Sequence, residues 1–354
     1  MNLEDFDYPL PKELIAQKPL AQRDTSKLLV VDRKGLVGAY SCTPLHDKHF
    51  SDILEYIPTG DVLVLNDTKV FPARLLGKKK VTEGKVEVLL LSPVAGAWHA
   101  APLHGNVWRC LVQPALKEGQ EIEIGGTAAE AVFRERDKDG IPVLEFSGVD
   151  DVRALAEKIG SMPLPPYIKR EADSSDKESY QTVYAEKEGA VAAPTAGFHF
   201  TKGLLGKIQA KGIEILHVTL HVGYGTFKPV EDLENHRMQA ERFELTEQVA
   251  GRLNLARSEK RGIWAVGTTT LRALESCVQD KKIIPGKGET DLYIKPPFEF
   301  EAVDHLITNF HLPKTTLLLL TSAFMGESLR KKAYAHAVAE KYRFYSYGDA
   351  MLIL

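Results

Sequence analysis

The sequence predicts an α/β fold: a barrel-like α/β main domain with an inserted small antiparallel β-barrel domain. Three observations carry this. Residues 152–354 alternate strand-like and helix-like runs, the pattern of a largely parallel sheet with crossover helices. Between residues 69 and 150 the pattern changes to short strands separated by Gly, Pro and charged turns, the spacing of a small antiparallel barrel or sandwich. A chain of 354 residues, 44% hydrophobic and 26% charged, is long enough for two domains with ordinary globular cores. The expected division is a discontinuous α/β domain, 1–60 and 152–354, and a β-barrel insert, 61–151.

From the N-terminus, "SKLLVVDR" and "GLVGAYS" read as short strands and "HFSDILEYI" as a helix. "DVLVLNDTKVF" is a strand ending in a polar turn. The insert's strands are "KVFPARLLGKKK", "KVEVLLLSPV", "WHAAPL", "VWRCLVQPA", "QEIEIGG", "AEAVFRERD" and "IPVLEFSG". Within them "EIEI" alternates as a half-buried strand should. The polar stretch 172–179, "ADSSDKES", reads as a mobile linker. Strand and helix then alternate: "GAVAAPTA" with "TKGLLGKIQAKG", "IEILHVTLHVG" with "LTEQVAGRLNLARSEKRG", and "IWAVGTTT" with "LRALESCVQD". "TDLYIKPP" and "HLITNFHLP" read as strands, "TTLLLLTSAFMG" and "ESLRKKAYAHAVAEKYR" as helices, and "DAMLIL" closes the chain.

Net charge −3 does not announce a nucleic-acid binder, though a local basic patch can sit on a neutral protein. The clusters at 77–80, 168–170 and 330–332 are such patches or plain solvated faces. The cysteines Cys42, Cys110 and Cys277 have no metal-site spacing, and their sparse, odd count fits a reducing compartment. The N-terminus has no apolar signal segment, and "TTLLLLTSAF" is too short to span a bilayer. A soluble cytoplasmic protein is expected. No dinucleotide or P-loop motif is present, and no serine elbow.

Three strand-to-helix junctions carry polar residues: His199 in "PTAGFHF", Thr268 and Thr269 in "VGTTTLRALES", and Asn309 and His311 in "ITNFHLPKTTLLLL". Each alone is explained by a capped helix or a satisfied core histidine. Three together point to a shared pocket, because α/β proteins build sites at strand ends. The threonine junction is a natural anion site. In "HVTLHVGYGTF", His221 ends a strand and two glycines permit close backbone approach to a ligand. The aromatics of "YRFYSYGDAMLIL" can stack on a base or hold a sulfonium. "NHRMQAERFEL" offers Glu241 and Glu244, for which a solvated loop is the simpler reading.

The segments "FDYPLPKELIAQKPLAQRDTSKLLV", "LVLNDTKVFPARLLG", "PLPPYIKR", "YQTVYAEKEGAVAAPTAGFHFT", "TLHVGYGTFKPV", "AVGTTTLRALES", "ITNFHLPKTTLLLLTSAF" and "YRFYSYGDAMLIL" resemble, in order and along the whole chain, the S-adenosylmethionine:tRNA ribosyltransferase-isomerases of queuosine biosynthesis. The resemblance implies transfer of the ribosyl part of S-adenosylmethionine to the 7-aminomethyl-7-deazaguanine wobble base of tRNA. Adenine and methionine leave and epoxyqueuosine-tRNA forms. It implies S-adenosylmethionine as co-substrate and tRNA as partner; no permanently bound cofactor, no metal, no membrane and a monomer are expected. One departure is Lys27 in "DTSKLLV", where arginine is expected; charge is kept and the bidentate geometry lost.

This chemistry assigns His199, His221 and Asp349 as catalytic candidates. Donor and base binding falls to Thr195, Phe198, Gly223, Gly225, Thr226, Thr268, Thr269, Arg272, Asn309, His311 and Tyr347. Asn66, Asp67, Arg74, Lys169 and Arg170 are expected to meet tRNA, Asn66, Asp67 and Arg74 alternatively closing the cleft between domains. Two other readings stay open: a non-catalytic tRNA-binding module, and a metal-dependent hydrolase using His199, His221 and His311.

Overall fold

The computed structural model describes residues 2–33, 44–94, 106–227 and 230–354, with the side chains of 226 and 227 outside that set. The expected strands "GLVGAYS" and "WHAAPL" lie outside the described residues, as does Cys42.

The main body is built on a nine-stranded mixed sheet. Its order is Gly286–Thr290, Glu241–Leu245, Glu214–Leu220, Val62–Asn66, Ile263–Val266, His305–Asn309, Ala350–Ile353, Lys27–Val31 and Leu45–His49. The four strands 214–220, 62–66, 263–266 and 305–309 run parallel to one another. Antiparallel neighbours flank them.

Both faces of this sheet are covered, which explains why its central strands are apolar throughout. Val62 and Val64 enter one core while Leu63 and Leu65 enter the other. Ile263 and Ala265 alternate with Trp264 and Val266 in the same way. Successive side chains of a strand point to opposite faces, so every position of a two-faced strand must be apolar. The helices Glu247–Ser258, Thr268–Ser276, Thr316–Met325 and Glu327–Ala339 cover the first face. Lys202–Ala210 and the 3-10 turn Phe50–Glu55, expected as a helix, cover the second.

The other unit is a closed barrel of six antiparallel strands: Pro142–Ser147, Val107–Gln113, Lys85–Pro93, Arg74–Lys79, Glu121–Ile124 and Glu130–Arg136. The alternation read in "EIEI" holds, with Ile122 and Ile124 inside the barrel. The expected start of the insert at 61 does not match the strand pairing. Val62–Asn66 is a central strand of the nine-stranded sheet, and the barrel's first strand begins at Arg74. "TDLYIKPP" contributes no strand beyond the end of Gly286–Thr290.

Residues 172–179 are not a free linker. Asp176–Ser179 forms a short helix, and the Asp176 side chain is fully buried. Its carboxylate accepts a bidentate pair from Arg170 at 2.6 and 2.7 Å, the Asp173 N–H at 2.9 Å and the Tyr347 hydroxyl at 3.1 Å. Asp176→Ala strands these donors, so chemical denaturation should show a loss of about 1–3 kcal/mol.

Candidate active site

The parallel strands 214–220, 263–266 and 305–309 end at the same edge of the sheet, so the segments that follow them meet there. A cavity lies at this edge. All three junctions reach it. Thr195 comes from the first, Gly267, Thr268 and Thr269 from the second, and Thr308, Asn309 and His311 from the third. The first junction differs from the expected strand-to-helix turn. Among the described residues Lys187–Ala190 pairs with Thr68–Val70 and not with the nine-stranded sheet, and "TAGFH" is a 3-10 turn ahead of the helix Lys202–Ala210.

The wall is completed by residues that the site candidates did not include: Tyr167, Tyr345 and Ser346. The signal available in sequence was the aromatic density of "YRFYSYGD" and the tyrosine of "PLPPYIKR". Tyr345 has φ 72°, a left-handed backbone that is an outlier for a bulky residue. Its N–H donates to Phe310 O at 3.1 Å, and its carbonyl accepts from Gly348 N–H at 2.8 Å and from Asn309 Nδ2 at 3.2 Å. Its ring meets Tyr167 edge to face at 3.9 Å. The Tyr167 hydroxyl and Ser346 Oγ are 2.5 Å apart.

At the second junction Gly267 has φ 89°, and the helix Thr268–Ser276 that it opens has no side-chain cap. Its first N–H groups therefore lie at the cavity without a capping oxygen. Thr270 Oγ1 turns back to Val266 O at 2.6 Å. Arg272, one turn further on, does not line the cavity. It pairs with Glu241 and donates through Nε to Leu292 O at 3.2 Å. Glu241 is not on a solvated loop: it sits buried in the strand Glu241–Leu245 and also accepts Gly223 N–H at 2.8 Å.

The three catalytic candidates separate. His199 is buried and both ring nitrogens are engaged, Nδ1 with Ser26 Oγ at 2.7 Å and Nε2 with Asn309 Nδ2 at 3.2 Å. The Asn309 amide nitrogen also faces a carbonyl, so it is a donor and His199 Nε2 an acceptor. The proton then resides on Nδ1, and the ring stacks on Phe50 at 4.9 Å. Burial, with Arg343 and Arg23 nearby, lowers its pKa to about 3. His221 lies off the cavity, with Nδ1 2.8 Å from Thr68 Oγ1; burial and neighbouring Arg242 and Arg153 lower its pKa to about 4. Asp349 spends both carboxylate oxygens on backbone, Lys27 N–H at 3.0 Å and Arg343 N–H at 2.7 Å. It fastens a strand start to the 343–349 loop and does not reach the cavity.

A histidine held neutral in the fold supports stability above its unfolded pKa of about 6.5, and that support fades as pH falls towards the folded value. His199→Gln should therefore lose less stability than wild type between pH 6.5 and 4 in a series of thermal melts. An identical slope would mean that the ring is not held neutral.

A second cavity lies beside the first and shares Ser346 with it. Phe198, His199 and Tyr347 line it, with Arg23, Ser26 and Ser179. The Phe198 and Tyr347 rings are stacked at 6.0 Å. Gly223 and Gly225 line neither cavity, and the Thr226 side chain is outside the described residues.

The expected RNA contacts are largely occupied elsewhere. Asn66 is fully buried and bonds both backbone groups of Leu220, at 2.9 and 3.0 Å. Asp67 is buried and accepts Thr219 Oγ1 at 2.6 Å. Arg74 bonds Leu164 O at 3.0 Å and so ties the barrel to the main body. Arg170 is committed to Asp176, while Lys169 is exposed. Lys78 and Lys80 pair with barrel glutamates. Lys27 caps a helix end at Glu340 O, 2.8 Å away, and lies over Tyr342. Among the described residues no cluster of His, Cys, Asp and Glu could hold a metal, and no helix is long and apolar enough to cross a membrane.

Residues 3–353 match the family described as queuosine biosynthesis protein. A relative from Sulfurihydrogenibium sp. (strain YO3AOP1), named S-adenosylmethionine:tRNA ribosyltransferase-isomerase, is 46% identical over 358 residues, covering 100% of both chains. One of the same name from Desulforamulus reducens is 45% identical with the same coverage. The crystal structure of an S-adenosylmethionine tRNA ribosyltransferase from Thermotoga maritima is similar with a TM-score of 0.53 and 36% identity, covering 99% of this chain and 100% of that one.

Proposed function

The chain belongs to the queuosine biosynthesis protein family, and from that premise we propose that the cavity at the three junctions binds S-adenosylmethionine as the ribosyl donor to tRNA. The enzyme transfers and isomerises the ribosyl group onto the 7-aminomethyl-7-deazaguanine wobble base, releasing adenine and methionine. It acts in the cytoplasm as a monomer, and its inserted domain corresponds to the barrel strands 74–147.

The observation that carries the donor assignment is the make-up of the wall. Three separate junctions meet there, and no Asp, Glu, Lys or Arg is among the described lining residues. A cation in such a site is held by ring faces and carbonyl dipoles, and Tyr167, Phe310 and Tyr345 supply the rings. The donor's carboxylate fits the uncapped N–H groups after Gly267. We assign the unstacked wobble base to the mouth of the neighbouring cavity, where the Phe198 and Tyr347 rings and Arg23 lie and Ser346 is common to both sites. Exposed Lys169 remains a backbone contact for tRNA.

S-adenosylmethionine at one hundred times its Kd should stabilise the protein by about 2.7 kcal/mol, seen as a raised melting temperature. A non-catalytic tRNA clamp would show no such shift. S-adenosylhomocysteine, which lacks the positive sulfur, should bind more weakly; equal affinity would remove the ring-face argument.

A further inference from the structure

The transfer needs a base, because the ribose carbon beside a sulfonium is activated for loss of a proton. The groups of the cavity narrow the choice. Among the described lining residues the titratable side chains are Tyr167, His311 and Tyr345. Burial pushes both tyrosines above their ordinary range, so neither is available as phenolate. His199 has no free ring nitrogen, and Asp349 and His221 point elsewhere.

His311 is placed differently. Its Nε2 is 2.9 Å from Thr308 Oγ1, and Nδ1 has no hydrogen-bond partner among the described residues. The backbone on either side is pinned: His311 N–H donates to the Tyr334 hydroxyl at 3.1 Å, and its carbonyl accepts from the Tyr8 hydroxyl. The Thr308 hydroxyl can accept from or donate to Nε2, and in the tautomer with the proton on Nε2 the Nδ1 atom carries a lone pair. Burial keeps the ring neutral at physiological pH.

We propose that His311 is the catalytic base of this cavity, taking through Nδ1 the proton of the ribose carbon bonded to sulfur, with Thr308 as the positioning residue that holds the ring through Nε2. The C–H bond breaks and an N–H bond forms. The electron pair stays on carbon next to the sulfonium sulfur, and nothing is oxidised or reduced. One positive charge is present before and after, because the imidazolium appears as the sulfonium becomes an ylide. The buried site therefore takes on no added net charge in the step. The proposal rests on the donor-cavity reading above.

The test uses the full chain, modified-base tRNA and S-adenosylmethionine in single turnover, with donor binding measured by calorimetry on the same preparations. His311→Gln and His311→Ala should bind S-adenosylmethionine within about threefold of wild type and turn over about 10²–10⁴-fold more slowly. Thr308→Val should lower the rate and shift its pH profile, and Thr308→Ser should restore both. A loss below tenfold in both His311 variants overturns the proposal, as does a loss matched by an equal fall in donor affinity. If wild type itself does not bind S-adenosylmethionine, the donor-cavity reading falls first and this proposal with it.

Discussion

Glu241→Ala is expected to cost the fold about 3–5 kcal/mol, the loss seen when one partner of a buried ion pair is removed. Glu241 is 5% exposed and Arg272 2%. The carboxylate joins three elements that meet behind the cavity: the strand Glu241–Leu245, the turn at Gly223 and the helix Thr268–Ser276. Without it the guanidinium keeps, among the described residues, Leu292 O through Nε, and Nη2 has no partner among them. Such a loss is a large share of a typical domain's stability, and urea titration would show it as a lower midpoint with an unchanged slope. The double variant Glu241→Leu with Arg272→Met should recover most of the loss, because removing both charges leaves neither one buried and unpaired. No recovery would mean that the carboxylate's bond to Gly223, and not the ion pair, dominates.

Gly267→Ala is the second large effect, and it falls on donor binding. The residue has φ 89° and ψ 150°, a region essentially reserved for glycine. A Cβ there would meet nothing closer than Thr269 Oγ1 at 3.4 Å, so the penalty is in the backbone and not in crowding. Relief of about 1–3 kcal/mol of strain would turn the first N–H groups of the helix away from the cavity. S-adenosylmethionine affinity should fall about tenfold or more, since each 1.4 kcal/mol is tenfold. Calorimetry that finds wild-type affinity in a folded Gly267→Ala protein would exclude the helix start as a donor contact.

The sequence made the cavity's location legible because its geometry follows from topology. Parallel strands must end at one edge, so the polar residues that follow 263–266 and 305–309, each unremarkable alone, converge there, and Thr195 reaches them from the 3-10 turn of the first junction. The alternation in "EIEI" and the run of strand-helix units likewise read directly onto barrel and sheet. What was hidden depends on partners remote in the chain. His199 looked like an acid/base group until Ser26 and Asn309 occupied both nitrogens, from 173 and 110 residues away. Glu241 looked solvated because Arg272 is 31 residues on. "NDT" at 66–68 looked like an exposed turn, yet Asn66 serves the backbone of the adjacent strand. By position the strand at 62–66 falls in the insert, but its unbroken apolar run marks a strand buried on both faces. A left-handed tyrosine has no local signature; at Tyr345 the carbonyl is held by Gly348 N–H and the Asn309 amide, both set by the fold.

The most direct measurement is mass spectrometry of nucleosides from tRNA bearing the 7-aminomethyl-7-deazaguanine wobble base, after incubation with the full chain and S-adenosylmethionine. Transfer through this cavity predicts one ribosyl-derived mass gain on that base, with adenine and methionine released in equal amount. A gain of a methyl group, or donor left intact beside unchanged tRNA, would contradict it.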